Sequence, residues 1–288
     1  MKLIIVLFFI SITGIAQSIE NVHDFFGGKT IDNKTVFYRL LFQIENGVIS
    51  GYAFTDERGD QQTKSIINGT FNAKTNTIAF YETKKVLTKS KKSYRDLCYL
   101  NGVVSLELNP KVSIIKGTFI ENTNSGKKCW QGKMEIRSVD SYKRLVTTIK
   151  KEKEIKKKAK PKPQDIVATP SFQSDEKITI KDDEEITIFW NTERFVLDIW
   201  DDAKEDEDQI TVRFNDKIIL NEHVLMNKKK TLEFELEEGE NKIVFKAINT
   251  GFIANNTARV DLFDDHIKHQ IITKLKLNKS VTVNLIRK

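Results

Sequence analysis

Six carboxylates fall within eight positions of one short stretch, Asp201, Asp202, Glu205, Asp206, Glu207 and Asp208, and only Lys204 offsets them. Two carboxylates about 5 Å apart repel by only about 1 kcal/mol in water, and by more where the medium is less polar. Six on one loop therefore need a cation among them, unless the loop stays fully solvated. Hard oxygen donors on a short flexible loop are the set that Ca2+ prefers, with about six to eight ligands. Asp201, Asp202, Asp206 and Asp208 are the first candidates for metal ligands. The spacing from Asp202 to Asp208 follows a helix-loop-helix calcium site only loosely, lacking its central glycine and flanking helices. A second segment, Asn249-Thr-Gly251-Phe-Ile-Ala-Asn255-Asn256-Thr257, offers amide oxygens to complete the shell, with Asn255 the first choice and Asn256 beside it to be checked. The competing reading is an acidic loop that is solvated and holds no metal.

Strands must position these residues. Phe195, Leu197 and Ile199 alternate with other residues before the acidic run, and Ile210, Val212 and Phe214 alternate after it. Alternation at period two marks a strand with one buried face. Further alternating runs predict strands at 177–180, 185–190, 218–220, 231–236, 241–249, 257–263, 269–275 and 280–286. So many short strands in little over a hundred residues fit a β-sandwich. Asn215-Asp216 supplies a two-residue hairpin between two of them.

The earlier part of the chain has the same character. Strands are expected at 36–42, 48–54, 65–71, 77–87, 99–108, 113–120 and 129–136, with Asn46-Gly47 as a tight hairpin turn. Ile49-Ser-Gly51, Ile67-Asn-Gly69 and Ile115-Lys-Gly117 echo one another, and a glycine inside a strand often marks a sharp bend at a barrel corner. An up-and-down barrel or strongly curled meander follows. Phe37, Phe42, Phe54, Phe71, Phe80 and Trp130 either fill its core or line a ligand cavity. The fold class is thus all-β: an antiparallel meander or barrel over residues 20–140, then an antiparallel β-sandwich over 171–288.

Between them lies a basic stretch at 141–170. Residues 143–163 hold ten Lys and Arg against two Glu, then Pro161 and Pro163. Glu152 with Lys156, and Glu154 with Lys158, suit a short helix, which the prolines end. It reads as a linker, with contact to an anionic surface as the sharper alternative. Residues 1–16 carry one Lys, an apolar run and the small pair Gly14 and Ala16, the pattern of a cleaved export signal. No Cys follows to take a lipid, and no later segment reaches the ~20 apolar residues of a membrane span. The expected location is periplasmic or extracellular.

Export gives meaning to the two cysteines, because oxidising compartments preserve disulfides. Cys98 and Cys129 are expected to pair. The overall charge of +7 hides an asymmetry: residues 171–288 hold 18 Lys and Arg against 24 Asp and Glu, while the rest hold 29 against 16. Such a difference points to modules with separate surfaces. It does not favour nucleic acid, which an exported chain rarely meets.

The first part resembles exported bacterial lipocalin-like domains in its rhythm of strands. Phe195 to Ala258 resembles a module of exported bacterial proteins that pairs an acidic strand loop with a later Asn-x-Gly…Asn-Thr-Ala segment. It departs from that pattern at Glu207, where Gly is common, and at Ala254-Asn255, where prolines are common. More distantly the stretch resembles calcium-dependent carbohydrate-binding sandwiches. That likeness implies a non-catalytic binding or adhesion protein with a Ca2+-stabilised loop and a glycan or envelope polymer as partner. A carrier of a small apolar molecule in the barrel is the alternative, and a secreted hydrolase a weaker one. The motifs of a nucleophile elbow, phosphate loop, zinc-protease helix and dinucleotide site are missing. His266 and His269 are expected on an exposed turn.

Overall fold

The computed structural model describes residues 22–57, 59–109, 112–139, 177–201, 205–251, 255–263 and 267–287. The expected export signal, the basic stretch 141–170, Asp202 and His266 lie outside the described residues. Eight strands form the first part: β1 (Val22–Ile31), β2 (Lys34–Glu45), β3 (Val48–Thr55), β4 (Thr63–Asn72), β5 (Thr77–Thr88), β6 (Cys98–Glu107), β7 (Ile114–Thr123) and β8 (Lys128–Ser138). Each pairs antiparallel with the next, and β1 pairs with β8 from Phe25↔Ser138 to Thr30↔Lys133, which closes the barrel. Strand β1 goes beyond the seven expected, because its Asp24, Gly27 and Gly28 break the apolar alternation. It enters β2 through Asp32 and Asn33, both at positive φ (45° and 64°). The expected Asn46-Gly47 turn has the same form, with φ of 51° and 79°.

The echoed glycines sit where the wall is tightest. A Cβ on Gly51, Gly69 or Gly117 would lie 2.1, 2.3 and 2.4 Å from a backbone carbonyl oxygen of the adjacent strand. Only a hydrogen fits there. Inside the barrel, Phe25, Tyr38, Leu40, Phe80, Phe119 and Ile136 pack together. Phe42 joins them and Phe71 packs against them, but Trp130 is 45% exposed. Phe54 is buried apart from that cluster, under Arg39 and Lys64. Cys98 and Cys129 form the expected disulfide, with Cα atoms 6.3 Å apart.

The barrel also buries charge. Lys29 Nζ lies 2.5 Å from Glu121 and over the rings of Tyr38 and Phe119. Glu82 accepts from Lys85 Nζ at 2.5 Å, from the Leu100 N–H at 3.2 Å and from the Tyr38 hydroxyl at 3.4 Å. Burial pushes the Glu82 carboxyl up, but the Lys85 and Lys29 charges, with the hydrogen bonds from Lys85 and the Leu100 N–H, outweigh it and hold the group below its ordinary value.

Ten strands follow: β9 (Lys177–Lys181), β10 (Glu185–Trp190), β11 (Arg194–Trp200), β12 (Gln209–Phe214), β13 (Lys217–Val224), β14 (Lys230–Glu235), β15 (Gly239–Ala247), β16 (Asn256–Phe263), β17 (Lys268–Leu275) and β18 (Ser280–Arg287). They form two layers, ordered β13-β12-β15-β18-β10 and β14-β11-β16-β17-β9. Trp190, Phe195, Leu197, Val212, Phe245 and Leu262 pack between the layers. The sandwich is not wholly antiparallel as expected, since β10 runs parallel to β18 and β9 parallel to β17. The reason is that β9–β10 and β17–β18 each step from one sheet to the other, and the two steps lie side by side in the same direction.

The two parts share a seam. Strand β5 pairs with β10 at Leu87↔Ile188 and Thr88↔Thr187, so the barrel wall and one sandwich sheet form a 13-stranded sheet. Leu87 is buried in the sandwich core, and Lys89 Nζ reaches Thr179 O at 3.1 Å. The modules read from the charge asymmetry therefore do not have wholly separate surfaces. His269 also differs from expectation: it is 5% exposed, with its ring 5.7 Å from that of Trp190, because it falls at a core-facing position of β17. Among the described residues no helix is long and apolar enough to cross a membrane.

Candidate cation site

The acidic run connects β11 to β12 at one end of the sandwich. Phe195, Leu197 and Ile199 point into the core, so Trp200 turns outward and Asp201 begins the loop; the Asp201 N–H donates to Met226 O at 2.9 Å. The loop then alternates. Asp206 and Asp208 are buried at 6% and 2% exposure, whereas Glu205 and Glu207 face solvent. Asp201 is buried at 3%. Three of the five described acids of the run thus lie inside the molecule, which a plain solvated loop would not require.

The second loop, between β15 and β16, closes over the first. Asn249 Oδ1 accepts from the Gln209 N–H at 2.7 Å, and Asn249 Nδ2 donates to Glu207 O at 3.0 Å. Gly251, at φ 52°, rests on Asp206: a Cβ there would lie 2.2 Å from Asp206 O and 2.9 Å from its Oδ1. The Thr257 N–H donates to Asp208 Oδ2 at 2.8 Å. Asn255 is exposed, and the inward position belongs to Asn256, which is 0% exposed. Strand parity explains this, since Asn256, Ala258, Val260 and Leu262 share the core face of β16. Both sequence segments meet here as expected, with Asn256 rather than Asn255 turned inward.

Two oxygens are left over. Asn256 Nδ2 donates to Gln209 O and to Asn249 O, each at 2.9 Å. Both amide hydrogens are then spent on carbonyls, so a flipped amide would set oxygen against oxygen. Asn256 Oδ1 is consequently oriented; it is buried and without a hydrogen-bond partner among the described residues, and Asp208 Oδ1 is likewise buried and unpartnered. A buried acceptor left unsatisfied costs about 1–3 kcal/mol. Burial, and then the carboxylates of Asp206 and Asp201, push Asp208 up to about 6 against the one opposing hydrogen bond from Thr257.

The donors at this junction are carboxylate and amide oxygens, with Asp206 O beside them. Hard cations take that set, whereas zinc favours nitrogen and sulfur. Among the described residues, no three His, Cys, Asp or Glu side chains already converge as a metal centre. A shell here accordingly needs the Asn256 amide oxygen and main-chain or water oxygens beside the carboxylates. The inward turn of Asn256 was open to sequence reasoning through the alternation of β16. The missing hydrogen-bond partners were not, because they depend on where Gln209 and Asn249 place their carbonyls. The chain matches no protein-family model, no curated protein and no solved structure.

Proposed function

We propose that the chain is an exported, non-catalytic binding protein of the cell envelope or exterior, which meets a glycan or envelope polymer through the cation-held loops of its sandwich. The observation that carries this reading is the gathering of buried, incompletely bonded oxygens where the β11–β12 and β15–β16 loops interlock. Acids at 2–6% exposure are poorly placed to attack a polymer, but well placed to hold a loop in one shape for recognition. The basic stretch 143–163 would add attraction to an anionic surface.

The carrier reading has less support, because Tyr38, Phe80, Phe119 and the Lys29–Glu121 pair occupy the interior that an apolar ligand would need. The test is co-sedimentation of the full chain with insoluble envelope polysaccharide. Wild type should be retained, and an Asp206→Asn/Asp208→Asn variant should bind about tenfold more weakly, a change of ~1.4 kcal/mol. Wild type left in the supernatant, or a variant retained equally well, would remove the proposal.

A further inference from the structure

We infer that one Ca2+ ion binds between the two loops, held by the carboxylates of Asp206 and Asp208 and the amide oxygen of Asn256, with Asp201 adding charge beside them. The inference rests on reading these loops as the working end of the molecule, and it names the ion and the atoms that hold it. It stands first on geometry. The Asn256 amide is pinned by two carbonyls, so its oxygen is fixed in place, buried and without a hydrogen-bond partner among the described residues. Asp208 approaches from the facing loop: its Oδ2 is bonded to the residue after Asn256, while Oδ1 has no hydrogen-bond partner among the described residues.

Charge separates an ion from water as the occupant. A water could donate to both orphaned oxygens. It would still leave the buried carboxylates of Asp206 and Asp208 acting on each other, and like charges in a poorly solvated place repel strongly. A divalent cation satisfies the oxygens and most of that charge together. The choice of Ca2+ follows from the donors. Amide and main-chain oxygens on two separate loops suit its loose, variable coordination, whereas Mg2+ demands a near-ideal octahedron and keeps much of its water.

The ion would act as a staple. Asp206 and Asp208 belong to the β11–β12 loop, Asn256 to the far end of the β15–β16 loop, so one ion would tie both loops into a single body. Gly251 fits the same picture, for its missing side chain lets the second loop lie directly on Asp206. Acid residues on the solvent side, Glu205 and Glu207, would attract the ion from bulk without ligating it.

The test uses Ca2+ alone with the full chain stripped by chelator, and no polymer. Calorimetric titration should give one site, with a dissociation constant of about 10⁻⁴–10⁻³ M, as in other extracellular modules. At about tenfold excess over that constant the melting temperature should rise by roughly 3–5 °C. Asp208→Asn, nearly isosteric, should abolish both responses while melting no lower than wild type without the ion; a merely structural carboxylate would give a lower melting point. Asp206→Asn should abolish the responses too. Absence of heat and of a melting shift at ~10 mM Ca2+ would overturn the inference, as would an unchanged response in Asp208→Asn. An equal response to Mg2+ would overturn the assignment to Ca2+. Because no polymer is present, Ca2+ binding without polymer retention sinks only the proposed function, and retention without Ca2+ binding sinks the ion while leaving polymer binding to stand.

Discussion

Glu82 in the barrel and Asp208 in the sandwich are both buried carboxyls, and their acidities move in opposite directions. Glu82 has the Lys85 and Lys29 ammonium groups acting on it and accepts hydrogen bonds from Lys85 and the Leu100 N–H, so its charged form is favoured in spite of burial. Asp208 has burial, two neighbouring carboxylates and one compensating N–H. The contrast extends to the whole molecule. In the barrel, Lys29, Arg39 and Lys85 each meet a carboxylate. Among the described residues, the buried side-chain oxygens without a partner, those of Asp208, Asn256, Asp261, Gln270 and Asn284, all belong to the sandwich. A fold that completes its own polar network is a scaffold. One that leaves oriented oxygens unfilled at a loop end is where we propose that a cation supplies the missing charge.

The comparison can be broken most forcefully in the barrel. Lys85→Met should destabilise by about 3–5 kcal/mol in urea melts, because Glu82 would keep its burial and lose its nearest cation. A loss below about 1 kcal/mol would mean that the barrel charges are no better matched than those of the sandwich. Cys98→Ser with Cys129→Ser comes next. Opening a disulfide across a sequence separation of 31 should cost about 3–4 kcal/mol in the chain-entropy picture. Signals from barrel residues should carry that loss, since the sandwich has no cysteine.

Gly251→Ala should cost about 1–3 kcal/mol, since it combines a positive φ with a clash against Asp206. It should also weaken any response to Ca2+, which calorimetry would read directly. The smallest effect is in the pH profile and has opposite signs in the two regions. With chelator present, folded Asp208 holds its proton from its ordinary 3.8 up to about 6, facing Asp201, Asp206 and the Thr257 N–H. The folded state then binds more protons than the unfolded one, so the Asp208 contribution falls as pH rises through that window. Glu82 does the reverse: its contribution is present above its ordinary 4.5 and is lost as pH falls through the lowered folded value. Chelated melts from about pH 4 to 7 should show the Asp208 slope, and Asp208→Asn should remove it. An unaltered slope in that variant would assign the pH dependence elsewhere.

Much of the architecture was legible in the residues. The strands from β2 through β18 follow from period-two alternation, and the hairpins at Asn46-Gly47 and Asn215-Asp216 from residues that tolerate positive φ. Strand β1 escaped because a strand can be specified by both neighbours in a closed barrel without carrying an apolar pattern of its own. The candidate site was half legible. Acid density marked the first loop and the Asn-rich stretch marked the second, but an i-to-i+1 choice between Asn255 and Asn256 turned on which face of β16 met the core.

Local chemistry alone determined the all-β class, the cysteine pair and the presence of a densely acidic loop. Those properties depend on side-chain type and spacing, which survive in any chain conformation. Tertiary structure alone decided that β5 would continue into the sandwich sheet, that Asp206 and Asp208 would be buried, and that Asn256 would be left with an unpaired oxygen. Each of these is a meeting of residues tens of positions apart, and whether a buried charge has a partner is settled only when the partner's backbone has been placed.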